Sequence, residues 1–286
     1  MEIRFWGVRG SIAAPGPETA GVGGNTSCVE VRCGSTRLIL DAGTGLRRLG
    51  DALLAELGGA PLEATLLLSH FHWDHIQGLP FFVPAYLPQT RLGVVGAFQG
   101  TRTLRDTLSK QMQEPHFPVR LDDLGCALDL REVRPGQVFN VGEATVRVAR
   151  LNHPGGVLAF RIEHDGRSMV YATDTEHYAC IDPVLQRLAE GADVLVYDAQ
   201  YTPEEYAGVA GRSKVGWGHS TYVAGVEVAR AAGVGSLVLF HHDPQRSDAG
   251  VAAIEEKARA LLPSAVAARE GMRLELQGKG GARRAA

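Results

Sequence analysis

Cysteine is scarce. Cys28, Cys33, Cys126 and Cys180 are the four in 286 residues, and no two of them form a C-x-x-C pair. That excludes a small domain stapled by disulfides. Long apolar runs are missing too; none approaches the roughly 18 residues needed to span a bilayer. The opening MEIRFWGVRGS has an acid at position 2 and no apolar core, so no signal peptide is expected. An excess of either charge is also absent: 29 Lys+Arg against 32 Asp+Glu leave a net charge of −3. A protein that wraps nucleic acid with a broad basic face, or clings to an acidic membrane, would be far more basic. No repeat of fixed period and no Pro- or Ser-rich linker divides the chain. One domain over residues 1–276 is expected, in a soluble cytoplasmic protein, with residues 277–286 (QGKGGARRAA) as a disordered tail.

Glycine, by contrast, is abundant, with 35 residues, and this suits a strand-rich fold with many tight turns. Short apolar runs bounded by turn residues recur: Arg37–Asp41, Ala64–His70, Ala144–His153, Ser168–Asp174, Asp193–Asp198 and Ser236–His241. Their β-branched and leucine content predicts buried strands. An Asp-Gly turn within Glu163–Arg167 predicts a hairpin. Helical spacing lies between, over Leu46–Leu57, Thr101–Met112, Pro183–Glu190, Thr221–Ala232 and Val251–Leu262. Mixed elements of this kind predict an α/β fold of sheets covered by helices. The six runs end in Asp41, His70, His153, Asp174, Asp198 and His241. Ligands gather beyond the carboxyl ends of strands in open α/β sheets. So many ionisable strand ends predict one shared polar site at a sheet rim.

Ser69–Gly78 reads SHFHWDHIQG. His70 and His72 are two apart and point the same way on an extended segment. Asp74 and His75 follow at a turn. Imidazole and carboxylate are the donors of Zn²⁺ and its first-row neighbours. More donors must come from other strand ends, and His153, Asp174 and His241 are available. The H-x-H-x-D-H run with a later His, Asp and His resembles the metallo-β-lactamase superfamily. The resemblance implies a four-layer αββα sandwich with a dinuclear metal site at one edge of its two sheets. It implies that His70, His72 and His153 bind one divalent ion, that Asp74, His75 and His241 bind the second, and that Asp174 bridges. His241 is preferred to His242 because it ends the apolar run LVLF. Zinc is the expected metal, with manganese or iron as alternatives. Seven donors shared by two ions leave room for water, which favours catalysis over a closed structural site. The flavodiiron branch carries Glu where His72 stands, which disfavours redox chemistry.

Trp217–Tyr222 reads WGHSTY just before a helical segment, and Tyr197–Tyr201 reads YDAQY at a strand end. Ser220 or Thr221 is the predicted N-cap. The pair of segments resembles the ribonuclease Z-like phosphodiesterases, in which an acid in His-Glu-Ala-Thr supports a His in Gly-His-Ser-Thr. Gly218–Thr221 matches the second segment in full. In the first, Asp198 and Ala199 keep the acid's charge and the alanine. The resemblance implies phosphodiester hydrolysis by a hydroxide shared between two metals. His219 would be the general acid and Asp198 its support, with Asp74 in the same catalytic set. Ribonuclease Z enzymes that process tRNA carry a long basic arm between the third ligand His and the bridging Asp. Here only residues 154–173 stand there, with one apparent hairpin. A small or cyclic nucleotide-type phosphodiester is therefore the expected substrate, not a long nucleic acid. Dimers are common in the superfamily, but no homodimer interface is legible here.

The N-terminal segments RFWGVRGSIAAPGP, GVGGNTSC and LILDAGTG resemble a bacterial branch of the same superfamily. This gives Asp41 the task of orienting a ligand His. Gly21–Thr26 could offer N–H groups to a phosphate, with Asn25 as a substrate contact. His177, close after Asp174, is a second candidate contact; His164 is expected to be exposed in the hairpin turn. Arg102, Arg105, Lys110 and Arg120 would either wall a pocket or form a solvated face. Two other functions compete: hydrolysis of a lactone, thioester or β-lactam carbonyl, and binding without turnover. The His219/Asp198 pair argues against the first, and the filled set of donor positions against the second. A tRNA 3′-end endonuclease remains the alternative within the phosphodiesterases.

Overall fold

The computed structural model describes residues 1–278 except 99, 101 and 210. The last residues of the expected tail, 279–286, and Thr101, the first residue of the helix expected over Thr101–Met112, lie outside the described residues. Two seven-stranded sheets face each other. The first contains β1 (Glu2–Gly7), β2 (Cys28–Cys33), β3 (Thr36–Leu40), β4 (Glu63–Leu67), β5 (Arg91–Ala97) and β6 (Ala127–Val133) in that order. The second contains β7 (Val138–Val141), β8 (Ala144–Leu151), β9 (Val157–His164), β10 (Arg167–Ala172), β11 (Val194–Asp198), β12 (Ser236–Phe240) and β13 (Ala265–Ala267). The last strand, β14 (Arg273–Glu275), returns to pair with β1.

Three apolar layers hold the sandwich. Phe5, Val31, Leu40, Phe160, Tyr171 and Phe240 are buried between the sheets. Helix α1 (Gly45–Leu57) buries Leu46, Leu49 and Leu53 on the outer face of the first sheet and ends at Gly58, whose φ of 57° only glycine adopts freely. The short α2 (Trp73–Ile76) and α3 (Leu104–Gln111) follow on the same side, α3 opening with a Thr103–Asp106 capping box. On the other side lie α4 (Pro183–Ala189), the short α5 (Pro203–Ala207), α6 (Tyr222–Ala231) and α7 (Asp248–Leu261). Leu185, Val226 and Ile254 of this group pack on Leu195 and Leu237. This is the αββα sandwich that the sequence led us to expect. The helix over Val251–Leu262 starts three residues early because Ser247 accepts the Gly250 N–H and sets the N-terminus.

The topology explains the polar strand ends. β3 runs parallel to β4, and β10, β11 and β12 are parallel to one another. β8 and β10 are both antiparallel to β9, so they share a direction. All these strands deliver their carboxyl ends to one rim. Ser69 O accepts the Leu158 N–H at 2.8 Å and ties the two sheets together there. Asp41, Asp174 and His241 leave their strands at φ of 62°, 49° and 60°. A left-handed backbone is strained for such residues, and strain of this kind gathers at functional sites.

Candidate dinuclear metal centre

The rim gathers two sets of donors. His70, His72 and His153 each place one nitrogen within 4.8 Å of the others, and so do the donor atoms of Asp74, His75, Asp174 and His241. His153 Nε2 is 3.1 Å from His72 Nδ1, and His75 Nε2 is 3.3 Å from His241 Nε2. Tetrahedral bonds of about 2.0–2.1 Å to one zinc ion would separate ligand nitrogens by roughly 3.3 Å. The Asp174 carboxylate stands between the sets. Its Oδ2 faces His70 at 3.7 Å and His153 at 4.0 Å. Its Oδ1 lies 3.2 Å from both His75 and His241. Asp74 Oδ2 lies 3.2 Å from the same two rings.

The chemistry of these side chains fits a pair of cations. His70 Nε2 is buried and has no hydrogen-bond partner. Such a polar atom is costly unless something coordinates it. Burial pushes His70 well below the ordinary imidazole range, which leaves the neutral ring that a metal requires. Burial opposes charge on Asp174 as well, yet the facing His241, His75 and His70 hold its carboxyl well below the usual range. His75 moves the opposite way. Its burial is outweighed by Asp174, Asp74 and Asp41, which raise it strongly, so a proton settles where a cation belongs.

Three of the rings are aimed from behind. His75 Nδ1 is 2.8 Å from Asp41 Oδ2, and Asp41 also accepts from Ser69 N–H at 2.7 Å and Tyr171 O–H at 2.9 Å. His241 Nδ1 is 2.9 Å from Gln200 Oε1, and His153 Nδ1 is 2.8 Å from the Gly218 carbonyl. Ser11 donates its N–H to Asp74 Oδ2 at 2.8 Å. Fixed tautomers and ring planes of this kind tune a metal site. Gly10 has to be glycine, since a Cβ there would stand 2.3 Å from His241 Nδ1.

His219 stands beside this cluster. Its Nδ1 is 2.8 Å from Asp198 Oδ2 and 3.9 Å from Asp174 Oδ2. Asp198 is fixed in turn by the N–H groups of Gln200 and Ser220, both to Oδ1. Thr221 is the N-cap of α6 and accepts from Ala224 N–H. Burial works against an imidazolium at His219, but the charge and hydrogen bond of Asp198, joined by Asp174 and Asp74, raise it to about 9. His219, His72, Asp74 and Asp174 line one open cavity of about 450 Å³, with Ser11 and Trp73 at its walls.

The structure separates Asn25, His177 and His242 from that cavity. Asn25 donates its side-chain amide to both oxygens of Glu270 at 3.1 Å. The Gly21 and Val22 N–H groups hold the Asp248 carboxylate at 2.7 and 2.9 Å. The glycine turn does bind an anion, but the chain supplies that anion itself, so Asn25 does not contact the cavity. His177 points to Ser220 Oγ at 2.8 Å and lines a separate cavity near Glu227 and Val228. His242 is buried on the far side, 2.9 Å from the Ala268 carbonyl, and burial lowers it to about 3. His164 is half-buried, not exposed, and lies 3.7 Å from Glu143.

One residue escaped the sequence reading. Glu176 is fully buried and accepts from Tyr206 O–H at 2.7 Å and from the Gly216 and Gly218 N–H groups at 2.6 and 2.8 Å. It therefore fixes the loop that carries both the carbonyl behind His153 and the adjoining His219. Its partners are a distant hydroxyl and two main-chain N–H groups, which leave no signal in the sequence beyond an acid two residues after Asp174.

Comparison with known proteins agrees with this geometry. The model of the β-lactamase superfamily domain matches residues 36–242. A ribonuclease Z of Mycolicibacterium paratuberculosis is 30% identical over 94% of both chains. Among solved structures, the metallo-β-lactamase fold protein YhfI from Bacillus subtilis superposes with a TM-score of 0.69, at 19% identity, over 96% of this chain and 98% of its own. Human tRNase Z, short form, gives 0.65 at 18% identity over 97% of this chain and 100% of its own. With the family match spanning both donor sets and the shared sandwich beneath them, this chain belongs to the β-lactamase superfamily.

Proposed function

We propose that this protein is a metal-dependent hydrolase of phosphodiester bonds, acting on small nucleotide-type substrates. The observation that carries the reading is the His219–Asp198 pair. His219, raised to about 9 by Asp198, lines the same cavity as Asp74 and Asp174, which supports a role as proton donor. His70, His72 and His153 would hold one divalent ion, and Asp74, His75 and His241 the second, with Asp174 between them. Zinc suits the imidazole-rich first set. When bound, such ions supply Lewis acidity toward phosphoryl oxygens and bring water into the neutral range as a nucleophile.

The chain's own groups do the rest. Asp198 keeps the proton on His219 Nδ1, which leaves Nε2 to face substrate. From there His219 donates to the departing alkoxide, whose own basicity would otherwise make it a poor leaving group. Carbonyl hydrolysis does not need this donor. Trp73, 81% exposed at the cavity mouth, offers a face on which a base can stack. The small substrate is supported by the β9–β10 hairpin, which is all that stands between His153 and Asp174. The cytoplasmic setting is supported by four free cysteines, three of them buried.

The ribonuclease Z relative favours one rival, cleavage at a tRNA 3′ end. Metal-replete protein assayed on bis-p-nitrophenyl phosphate, a lactone, nitrocefin and a tRNA with a 3′ trailer separates these readings. Turnover confined to the lactone or nitrocefin would overturn the phosphodiesterase assignment, and cleavage of the trailer alone would transfer it to tRNA.

A further inference from the structure

The cavity at the metal centre does not end there. His72 and Phe71 also line a second cavity of about 300 Å³, whose walls include Arg102, Thr107, Gly155 and Gly156. Those two glycines line a third of about 250 Å³, which contains Arg150. The three spaces form one groove leading away from His70 and His72. Arg105 pairs with Asp122, and Arg120 with Asp123, so two of the four cations in the basic stretch of the sequence are neutralised. Among the described residues Arg102 and Arg150 have no carboxylate partner, and no acidic side chain lines the second or third cavity. The Arg150 guanidinium lies against Gly156, where a Cβ would come within 2.7 Å of Nη2. Gly156 sits at a φ of 85°, so the backbone leaves room for that group in the groove.

We propose that Arg102 and Arg150 form a second anion subsite, which takes a phosphate one unit along the substrate from the scissile diester. Unpaired guanidiniums in a concave wall focus positive potential, and their planar forks match phosphate oxygens. The class of substrate is then a nucleotide that carries at least two phosphates. This deepens the hydrolase reading and rests on it for which phosphate meets the metals.

The test uses the zinc-loaded full chain and two p-nitrophenyl esters of thymidine 5′-phosphate, one with a free 3′-hydroxyl and one with a 3′-phosphate. The 3′-phosphate is expected to lower KM by about tenfold or more. In R102A/R150A the two esters should be used equally, and in R102E/R150E the preference should reverse. Both positions are exposed, and circular dichroism verifies the fold of each variant. A third ester with a 3′-methylphosphate separates a terminal phosphate from a continuing chain. A preference for the monoester names the former and equal use the latter, and the subsite stands in either case. If no ester is hydrolysed, the hydrolase reading fails, and calorimetric binding of adenosine 3′,5′-bisphosphate against adenosine 5′-monophosphate decides the subsite alone. Equal KM for the first two esters, equal binding of the two nucleotides, or a preference that survives in R102A/R150A would overturn it.

Discussion

Replacing Asp198 with Asn removes one charge and almost no volume. The Asn carbonyl can still accept the Gln200 and Ser220 N–H groups that now reach Oδ1. What disappears is the negative partner 2.8 Å from His219 Nδ1, the largest influence that raises the imidazole against its burial. A raised imidazole is the active acid below its pKa and is lost as pH rises through it. The native basic limb should thus fall near or below about 9, since bound cations offset the help from Asp174 and Asp74. Without Asp198 the limb should drop to the ordinary imidazole value near 6.5 or lower. At pH 8 an acid of pKa about 9 is about 90% protonated and one of 6.5 about 3%, a loss of about 30-fold. Near pH 6 the two proteins should nearly converge. The assay is kcat against pH on a dinucleoside phosphate, whose alkoxide leaving group needs the proton, with metal content verified at each point. An unmoved basic limb, or an equal loss at every pH, would refute the proton-donor argument.

His219→Ala should keep both metals by elemental analysis and lose roughly 10²–10⁴ in rate on the same diester. Asp174→Ala should instead lower the bound metal, because one carboxylate serves both donor sets; a full complement of two ions would contradict the bridging role. Glu176→Ala leaves one buried hydroxyl and two N–H groups unpaired and should cost about 2–5 kcal/mol in denaturant unfolding, with Glu176→Gln recovering part. Gly10→Ala drives a methyl into the His241 ring and should weaken retention of metal more than it lowers the melting temperature.

The parts of the site carried by strand ends were legible in the sequence. An apolar run that stops at His or Asp states both where the backbone goes and what it delivers, so His70, His153, Asp174 and His241 could be read without coordinates. His219 and Asp198 were legible through their two short segments. The supporting contacts were not. Ser11 reaches Asp74 through a backbone N–H, and Glu176 binds two more N–H groups some forty residues away. Main-chain donors leave no mark in residue type. Asn25 misled for a related reason: a glycine-rich turn shows that an anion can be held, but not that Asp248 and Glu270 already fill the role from the far end of the chain.

Both donor sets straddle the sandwich. His70, His72, Asp74 and His75 follow β4 of one sheet, whereas His153, Asp174 and His241 follow β8, β10 and β12 of the other. Each bound cation would therefore be a clasp between halves that otherwise meet through apolar side chains and a few hydrogen bonds, such as Leu158 N–H to Ser69 O and Tyr171 O–H to Asp41. Ion capture and closure of the two halves would become a single thermodynamic event, and a chelator should loosen the whole rim of the sandwich, not merely silence it.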